Sequence, residues 1–319
     1  MSSSEVEQAA LLPLLPPNRV GEVETIEAIN VGLSGAGVYA VTTSRGAYVL
    51  RIQGSEVPHE AFARQLKLLH RVSEANIAPA VVHVDEAARA VVSVRVNGRP
   101  LGAVLSDPAQ RQRTIAALIE QLRTLHALDP SNIAPSDPVH HARLSFEKGR
   151  LRIGFPAWAL SLGPTFDALE ATLSADPRRV VSHNDANPTN ILWDGTRAWL
   201  VDWDIAGLNH PHYDLATLAL FLRLDDETAF ALAALHDGSP LDEHARATFR
   251  ALRQLVGLLS GLTFLRLVDD LKVVSAPTLD EAPTLASCYE RLNSGALDIQ
   301  GDAGKASFGL ALLALSMAP

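Results

Sequence analysis

Between Val23 and Val96 the apolar residues come in short runs, VETIEAI, VYAVTTS, AYVLRI, AVVHVD and AVVSVRV, separated by glycine-containing or polar turns. Runs of this length, rich in β-branched residues and alternating with polar ones, predict strands. One stretch among them differs. HEAFARQLKLLHRVSE carries Phe62, Leu66 and Leu69 at helical spacing, so the segment predicts a small antiparallel sheet with one helix. After the turn dipeptide Asn97-Gly98 the style changes to long amphipathic helices. RQRTIAALIEQLRTLHAL places Ile115, Leu118, Leu122 and Leu125 on one face, and the chain from Leu215 onward repeats that style. A single β-type interruption remains, where ILW and AWLVDW flank Asp194-Gly195, a two-residue hairpin signal.

This pattern predicts a leader over residues 1–20, a β-rich lobe over 21–97 and a larger helical lobe over 98–319 that contains one hairpin. Two strongly apolar stretches, LVGLLSGLTFLRLV (255–268) and FGLALLALSMA (308–318), fall short of the roughly 20 residues of a membrane span and read as buried core helices.

Composition narrows the classes. A chain of 319 residues with 47% hydrophobic content can bury a sizeable core. Its net charge of -9, with 27 scattered Lys and Arg, argues against a nucleic-acid surface and suits a cationic small substrate better. The one cysteine, Cys288, allows no intrachain disulfide, which fits a reducing cytoplasm. The first residues carry acids where a signal peptide needs bases, and their apolar run is broken by prolines.

The chemistry concentrates in VVSHNDANPTNILWDGTRAWLVDWD, which begins at Val180 and sets His183, Asp185, Asn190, Asp202 and Asp204 among apolar residues. Buried polar groups are costly unless paired or bound to something. One explanation is a hairpin with polar ends; the other is a metal-phosphate site. Mg²⁺ is a hard ion that takes oxygen ligands, and Asn190 with Asp202 suits it. Asp185 can then accept a hydrogen bond from a substrate hydroxyl and aim it at a γ-phosphate.

His183-Asn184-Asp185, then Asn190, then Val201-Asp202-Trp203-Asp204 together resemble the motifs of the kinase-like aminoglycoside phosphotransferase and choline kinase superfamily. The resemblance implies an α+β, protein kinase-like two-lobed fold, with a small antiparallel β-rich N-lobe plus one helix and a larger helical C-lobe bearing the catalytic hairpin. It implies ATP and Mg²⁺, with Asp185 as catalytic base, Asn190 and Asp202 as metal ligands, and Asp214 as an anchor for the catalytic loop. NVGLSGAGVYAV looks like the family's phosphate loop, so that Gly32, Gly35 and Gly37, with the Ser34 hydroxyl, would approach phosphate. Arg51 sits where the wider superfamily usually has lysine, with Glu60 as its expected partner. That arginine, and His-Asn-Asp in place of His-Gly-Asp, are similar to the choline and ethanolamine kinase branch, although Asp204 stands where glutamate is more usual.

The expected activity is therefore ATP-dependent phosphorylation of a small, cationic alcohol, with the acceptor near Trp203, Tyr213 and the later helices. With aromatics only 5% of the chain, an aromatic cage for a quaternary ammonium is hard to build, and an aminoglycoside kinase is the alternative acceptor class. Other classes are a nucleotide-binding regulator without transfer activity and a metal-dependent hydrolase using His210 and His212, which otherwise read as loop residues. The acidic clusters Asp225-Asp226-Glu227, Asp242-Glu243 and Asp269-Asp270 either attract a cation or are solvated helix faces.

Overall fold

The structure, a computed structural model, describes residues 9–29, 36–153, 155–269 and 275–318. The chain divides into two compact units that do not follow a single cut: Met1–Ile133 with Asp185–Ala206, and Ala134–Asn184 with Gly207–Pro319.

In the first unit, strands β1 (Val23–Ala28), β2 (Gly37–Thr43), β3 (Gly46–Ile52), β4 (Val81–Asp85) and β5 (Ala90–Val94) form an antiparallel sheet of order β1-β2-β3-β5-β4. The five apolar runs of the sequence are these five strands. Alternation gives the sheet two apolar faces. Ile26, Val41, Tyr48, Leu50 and Val92 make one cluster, while Val91 joins Phe62 and Leu66 of the helix His59–Glu74 in another. Because successive strand side chains point to opposite faces, Leu50 on the first face puts Arg51 on the helix-covered face.

Part of the expected leader is built into this unit. Leu11, Leu15 and Val20 are buried in the first cluster, and the Thr43 hydroxyl donates to the Val20 carbonyl at 2.5 Å. Pro13, Pro16 and Pro17 break the segment into a 3₁₀ turn, Leu12–Leu14, and a helical turn, Pro17–Val20, which hides its packing role from any periodicity. Each such side chain contributes roughly 1.5–3 kcal/mol by leaving water. Beyond β5 come the helices Leu101–Leu105 and Pro108–His126, the latter burying Leu118, Leu122 and Leu125 as its spacing implies.

The second unit is mainly helical: Pro138–Ile153, Leu162–Ser174, Tyr213–Phe221, Asp226–Asp237, Glu243–Arg266, Leu285–Asn293 and Asp302–Met317, with an antiparallel strand pair, Val180–Ser182 and Gly207–Asn209, among its described residues. The two apolar stretches lie in Glu243–Arg266 and Asp302–Met317, which pack together where small residues allow close approach. A Cβ on Gly261 would lie 2.9 Å from the Gly309 carbonyl oxygen. Among the described residues no helix is long and apolar enough to cross a membrane. Cys288 is buried, and burial pushes its thiol pKa up, as befits an unreactive core thiol. Two of the acidic clusters serve the helices: Asp225 and Asp242 cap the N–H groups of Thr228 and Ala245 at 2.7 and 2.8 Å, and Asp226 pairs with Arg250 and Arg253. In the third, Asp269 pairs with Arg152, and Asp270 lies outside the described residues.

Candidate active site

The hairpin forms where its turn dipeptide lies, with the turn one residue further on: the Asp194 N–H donates to the Arg197 carbonyl at 3.2 Å, which leaves Gly195-Thr196 as the two-residue turn. Ile191–Trp193 pairs with Ala198–Leu200 in the register Ile191↔Leu200 and Trp193↔Ala198. Gly195 supplies the positive φ of the turn, 100°. Asp194 organises the turn by accepting the backbone N–H groups of Thr196 and Arg197 at 2.8 Å each and the Trp199 indole N–H at 2.7 Å. Burial works against its charged form, yet the Trp199 and backbone donors prevail and hold its pKa down at about 2.

Pairing continues past the strands, the Val201 N–H donating to the Asn190 carbonyl at 2.9 Å. Asn190 and Val201 are thus opposite one another, and Asp202 is the next residue along. Asp202 has φ 66°, a left-handed conformation that Asp and Asn tolerate better than other non-glycine residues and that gathers at functional sites. The turn after it is fixed by the Trp203 indole N–H on the Leu200 carbonyl at 3.0 Å. Trp203 and Tyr213 are both buried, so these rings are core residues within their own units.

On the other side of the hairpin, the 3₁₀ turn Pro188–Asn190 folds the chain back on Asp185. Asn190 Nδ2 donates to the Asp185 carboxylate at 2.7 Å and to its carbonyl at 3.1 Å, and Asn187 Nδ2 donates to the second carboxylate oxygen at 2.9 Å. The five-residue spacing from Asp185 to Asn190 is the length of this loop. Asn187 is a site residue that the motif reading missed; the Asn-Pro dipeptide, a turn initiator, was its signal.

Asn190 and Asp202 offer only oxygen to a cation, because the Asn190 nitrogen is committed to Asp185 and its Oδ1 is the end that remains. Such a hard donor set fits Mg²⁺. Among the described residues no group of three or more His, Cys, Asp or Glu could hold a metal ion.

Arg51 comes to this hairpin from β3. Its Nη2 is 3.2 Å from Asp202 Oδ1 and pairs at closer range with Asp204 Oδ2. The expected Glu60 partner is not brought to it. Glu60 is exposed in the first turn of its helix, and the helical residue that reaches the cluster is Gln65, whose Nε2 donates to the Asp204 carbonyl at 2.5 Å. At about 100° per residue, Glu60 lies roughly 140° around the helix from Gln65. Ser34 and Gly35, with Gly32, lie outside the described residues.

In the second unit, Asp214 is fully buried in the first turn of Tyr213–Phe221. Its two carboxylate oxygens accept the backbone N–H groups of His183 at 2.9 Å and Asn184 at 2.8 Å. Asn184 has φ 65° and accepts from Asn209 Nδ2 at 2.8 Å. The residue immediately before Asp185 is therefore clamped. His210 and His212 lie in the loop before the helix Tyr213–Phe221, as expected, and both are buried there. His210 Nε2 lies 3.0 Å from Asp176, and His212 Nε2 lies 2.8 Å from Asp237, which His236 also meets at 2.8 Å. Burial lowers the His210 pKa to about 4 against the pull of Asp176, so its ring is neutral at pH 7. Each ring meets a carboxylate through Nε2. Among the described residues the His212 Nδ1 is buried without a hydrogen-bond partner, and neither ring belongs to a group of three or more His, Cys, Asp or Glu that could hold a metal ion.

Residues 25–255 match the model of the phosphotransferase enzyme family. The chain belongs to that family. Over 47 residues this phosphotransferase is 40% identical to protein LicA of Haemophilus influenzae, a match spanning 15% of the chain and 18% of LicA. It is similar to a choline/ethanolamine kinase family protein from Mesorhizobium loti at 20% identity, covering 97% of this chain and 99% of that one with a TM-score of 0.67. It is also similar to an aminoglycoside phosphotransferase from Streptomyces rimosus, solved with ADP and streptomycin, at 20% identity, 78% and 98% coverage and a TM-score of 0.56. These likenesses show that the phosphotransferase has the α+β, protein kinase-like fold expected from its motifs, with an antiparallel β-rich N-lobe and a helical C-lobe.

Proposed function

We propose that this phosphotransferase moves the γ-phosphoryl group of ATP to the hydroxyl of a small cationic metabolite, an amino alcohol of the choline and ethanolamine class. The observation that carries the reading is the linked set of side chains at the hairpin: Asp185 held by Asn187 and Asn190, Asn190 opposite the residue before Asp202, and Arg51 on Asp202. The acceptor O–H donates to the Asp185 carboxylate, its oxygen forms a bond to the γ-phosphorus, and the bond from that phosphorus to the β-bridging oxygen breaks to release ADP. Asp185 ends with the proton. Arg51 offers a planar fork of N–H groups to phosphate oxygens. Asn190 and Asp202 would hold Mg²⁺, which when bound neutralises phosphate charge. Ser34 and Gly35 are assigned to the phosphate loop. Little covalent work falls to the protein, whose task is positioning and charge neutralisation.

The amino alcohol class is favoured by Arg51 and the His-Asn-Asp triplet, and by a fold likeness to the choline/ethanolamine kinase family protein over 97% of the chain, against 78% for the aminoglycoside phosphotransferase. The aminoglycoside reading is kept because aromatics make up only 5% of the chain. A reducing cytoplasm is assigned from the lone, buried Cys288. The test is ADP release from Mg²⁺-ATP with choline, ethanolamine or streptomycin as acceptor. Turnover raised well above the acceptor-free rate by an amino alcohol is expected. A rate raised only by streptomycin would overturn the acceptor class, and no turnover with any acceptor would favour a nucleotide-binding regulator.

A further inference from the structure

We infer that Asp204 is a positioning residue for nucleotide binding, holding the Arg51 guanidinium at the metal-binding hairpin in place of a glutamate from the neighbouring helix. This rests on the kinase reading above. The period-two alternation of β3 sends Arg51, and Gln53 two residues on, to the face covered by the helix His59–Glu74. Both then reach Asp204. Arg51 Nη2 pairs with Asp204 Oδ2, and Gln53 Nε2 donates to Asp204 Oδ1 at 3.2 Å. Gln53 Nε2 also donates to Gln65 Oε1 at 2.9 Å, and Gln65 Nε2 in turn donates to the Asp204 carbonyl at 2.5 Å. Strand, helix and hairpin are thus tied at one residue.

The charges give this knot a direction. Asp202 and Asp204 both pair with Arg51, Asp202 through Oδ1 at 3.2 Å and Asp204 at closer range, and both carboxylate oxygens and the carbonyl of Asp204 are engaged by protein donors. A guanidinium carries five N–H donors in a fixed fork. Nη2 makes both ion-pair contacts, and the Arg51 Nε–H has no acceptor among the described residues. Arg51 can therefore keep Asp204 through Nη2 while its Nη1, which makes no ion pair with either carboxylate, is the end offered to phosphate. With a neutral residue at 204, its counter-charge would be Asp202 alone, the group a magnesium ion needs.

The test uses the full chain and the affinity for a non-hydrolysable ATP analogue with Mg²⁺, read by calorimetry, beside the KM values for ATP and acceptor. Asp204→Asn should weaken nucleotide binding by about 10- to 100-fold, the range for a lost charge-assisted hydrogen bond, and leave the acceptor KM near wild type. Arg51→Gln should weaken it similarly, and the double variant should be no worse than Arg51→Gln alone, because the second change acts through the first. Gln65→Ala, which removes the helical hold on the Asp204 backbone, should weaken nucleotide binding by a smaller factor and serves if Asp204→Asn does not fold. Effects that multiply in the double variant, or wild-type nucleotide affinity in Asp204→Asn or Gln65→Ala, overturn the inference. A wild type that binds Mg²⁺-ATP but phosphorylates no hydroxyl overturns the kinase reading instead, and a wild type that binds no nucleotide overturns both.

Discussion

Asp185→Asn is expected to bind nucleotide within about threefold of wild type while its phosphoryl-transfer rate falls by about three orders of magnitude, inside the range for loss of a positioned general base. The separation follows from geometry. Asp185 is held by two side-chain amides, Asn187 Nδ2 at 2.9 Å and Asn190 Nδ2 at 2.7 Å. An asparagine at 185 can still accept from Asn190 through its own amide oxygen, so the orientation of the Asn190 side chain survives. It cannot take a proton from the acceptor hydroxyl. Single-turnover kinetics beside equilibrium nucleotide binding reads both quantities. Parallel losses in the two would mean that Asp185 supports the loop and not the chemistry.

The largest loss of stability is expected from Asp214→Ala. Its fully buried carboxylate accepts two backbone N–H groups, those of His183 and Asn184. An alanine leaves both donors buried without an acceptor, at a cost of about 1–3 kcal/mol each. The sum, about 2–6 kcal/mol, is a large share of the roughly 5–15 kcal/mol that holds a typical protein together. Asp214→Asn, which keeps one acceptor oxygen, should lose about half as much. Denaturant unfolding monitored by tryptophan fluorescence measures this, and a loss below about 1 kcal/mol for the alanine variant would show that water or a rearranged loop satisfies the two N–H groups.

How much of this was legible in the chain depends on the range of the interaction. The five strands, the helix between them and the hairpin at Asp194-Gly195 are written in local periodicity and turn chemistry, and so could be read directly. The link between Asp185 and Asn190 was legible as well, since a five-residue loop is a local object. Pairings made across the fold were not. Glu60 was the natural partner for Arg51 by charge and position in the helix, but the rotation of that helix brings Gln65 inward, and the negative charge comes from Asp204, 153 residues from Arg51 in sequence. Leu15 and Val20 gave no periodic signal because prolines divide their segment, yet both are core residues. His210 and His212 lie in a loop as read, but nothing near them in sequence foretold their burial or their pairing with Asp176 and Asp237.

The measurement that bears most directly on the site is the affinity for a non-hydrolysable ATP analogue, determined by calorimetry with Mg²⁺ and again with a chelator. Wild type should bind about tenfold or more tightly with the metal, and Asp202→Asn should lose that gain while keeping its metal-free affinity. An equal gain from Mg²⁺ in both proteins would contradict the assignment of Asp202 as the residue that ties the metal to the nucleotide.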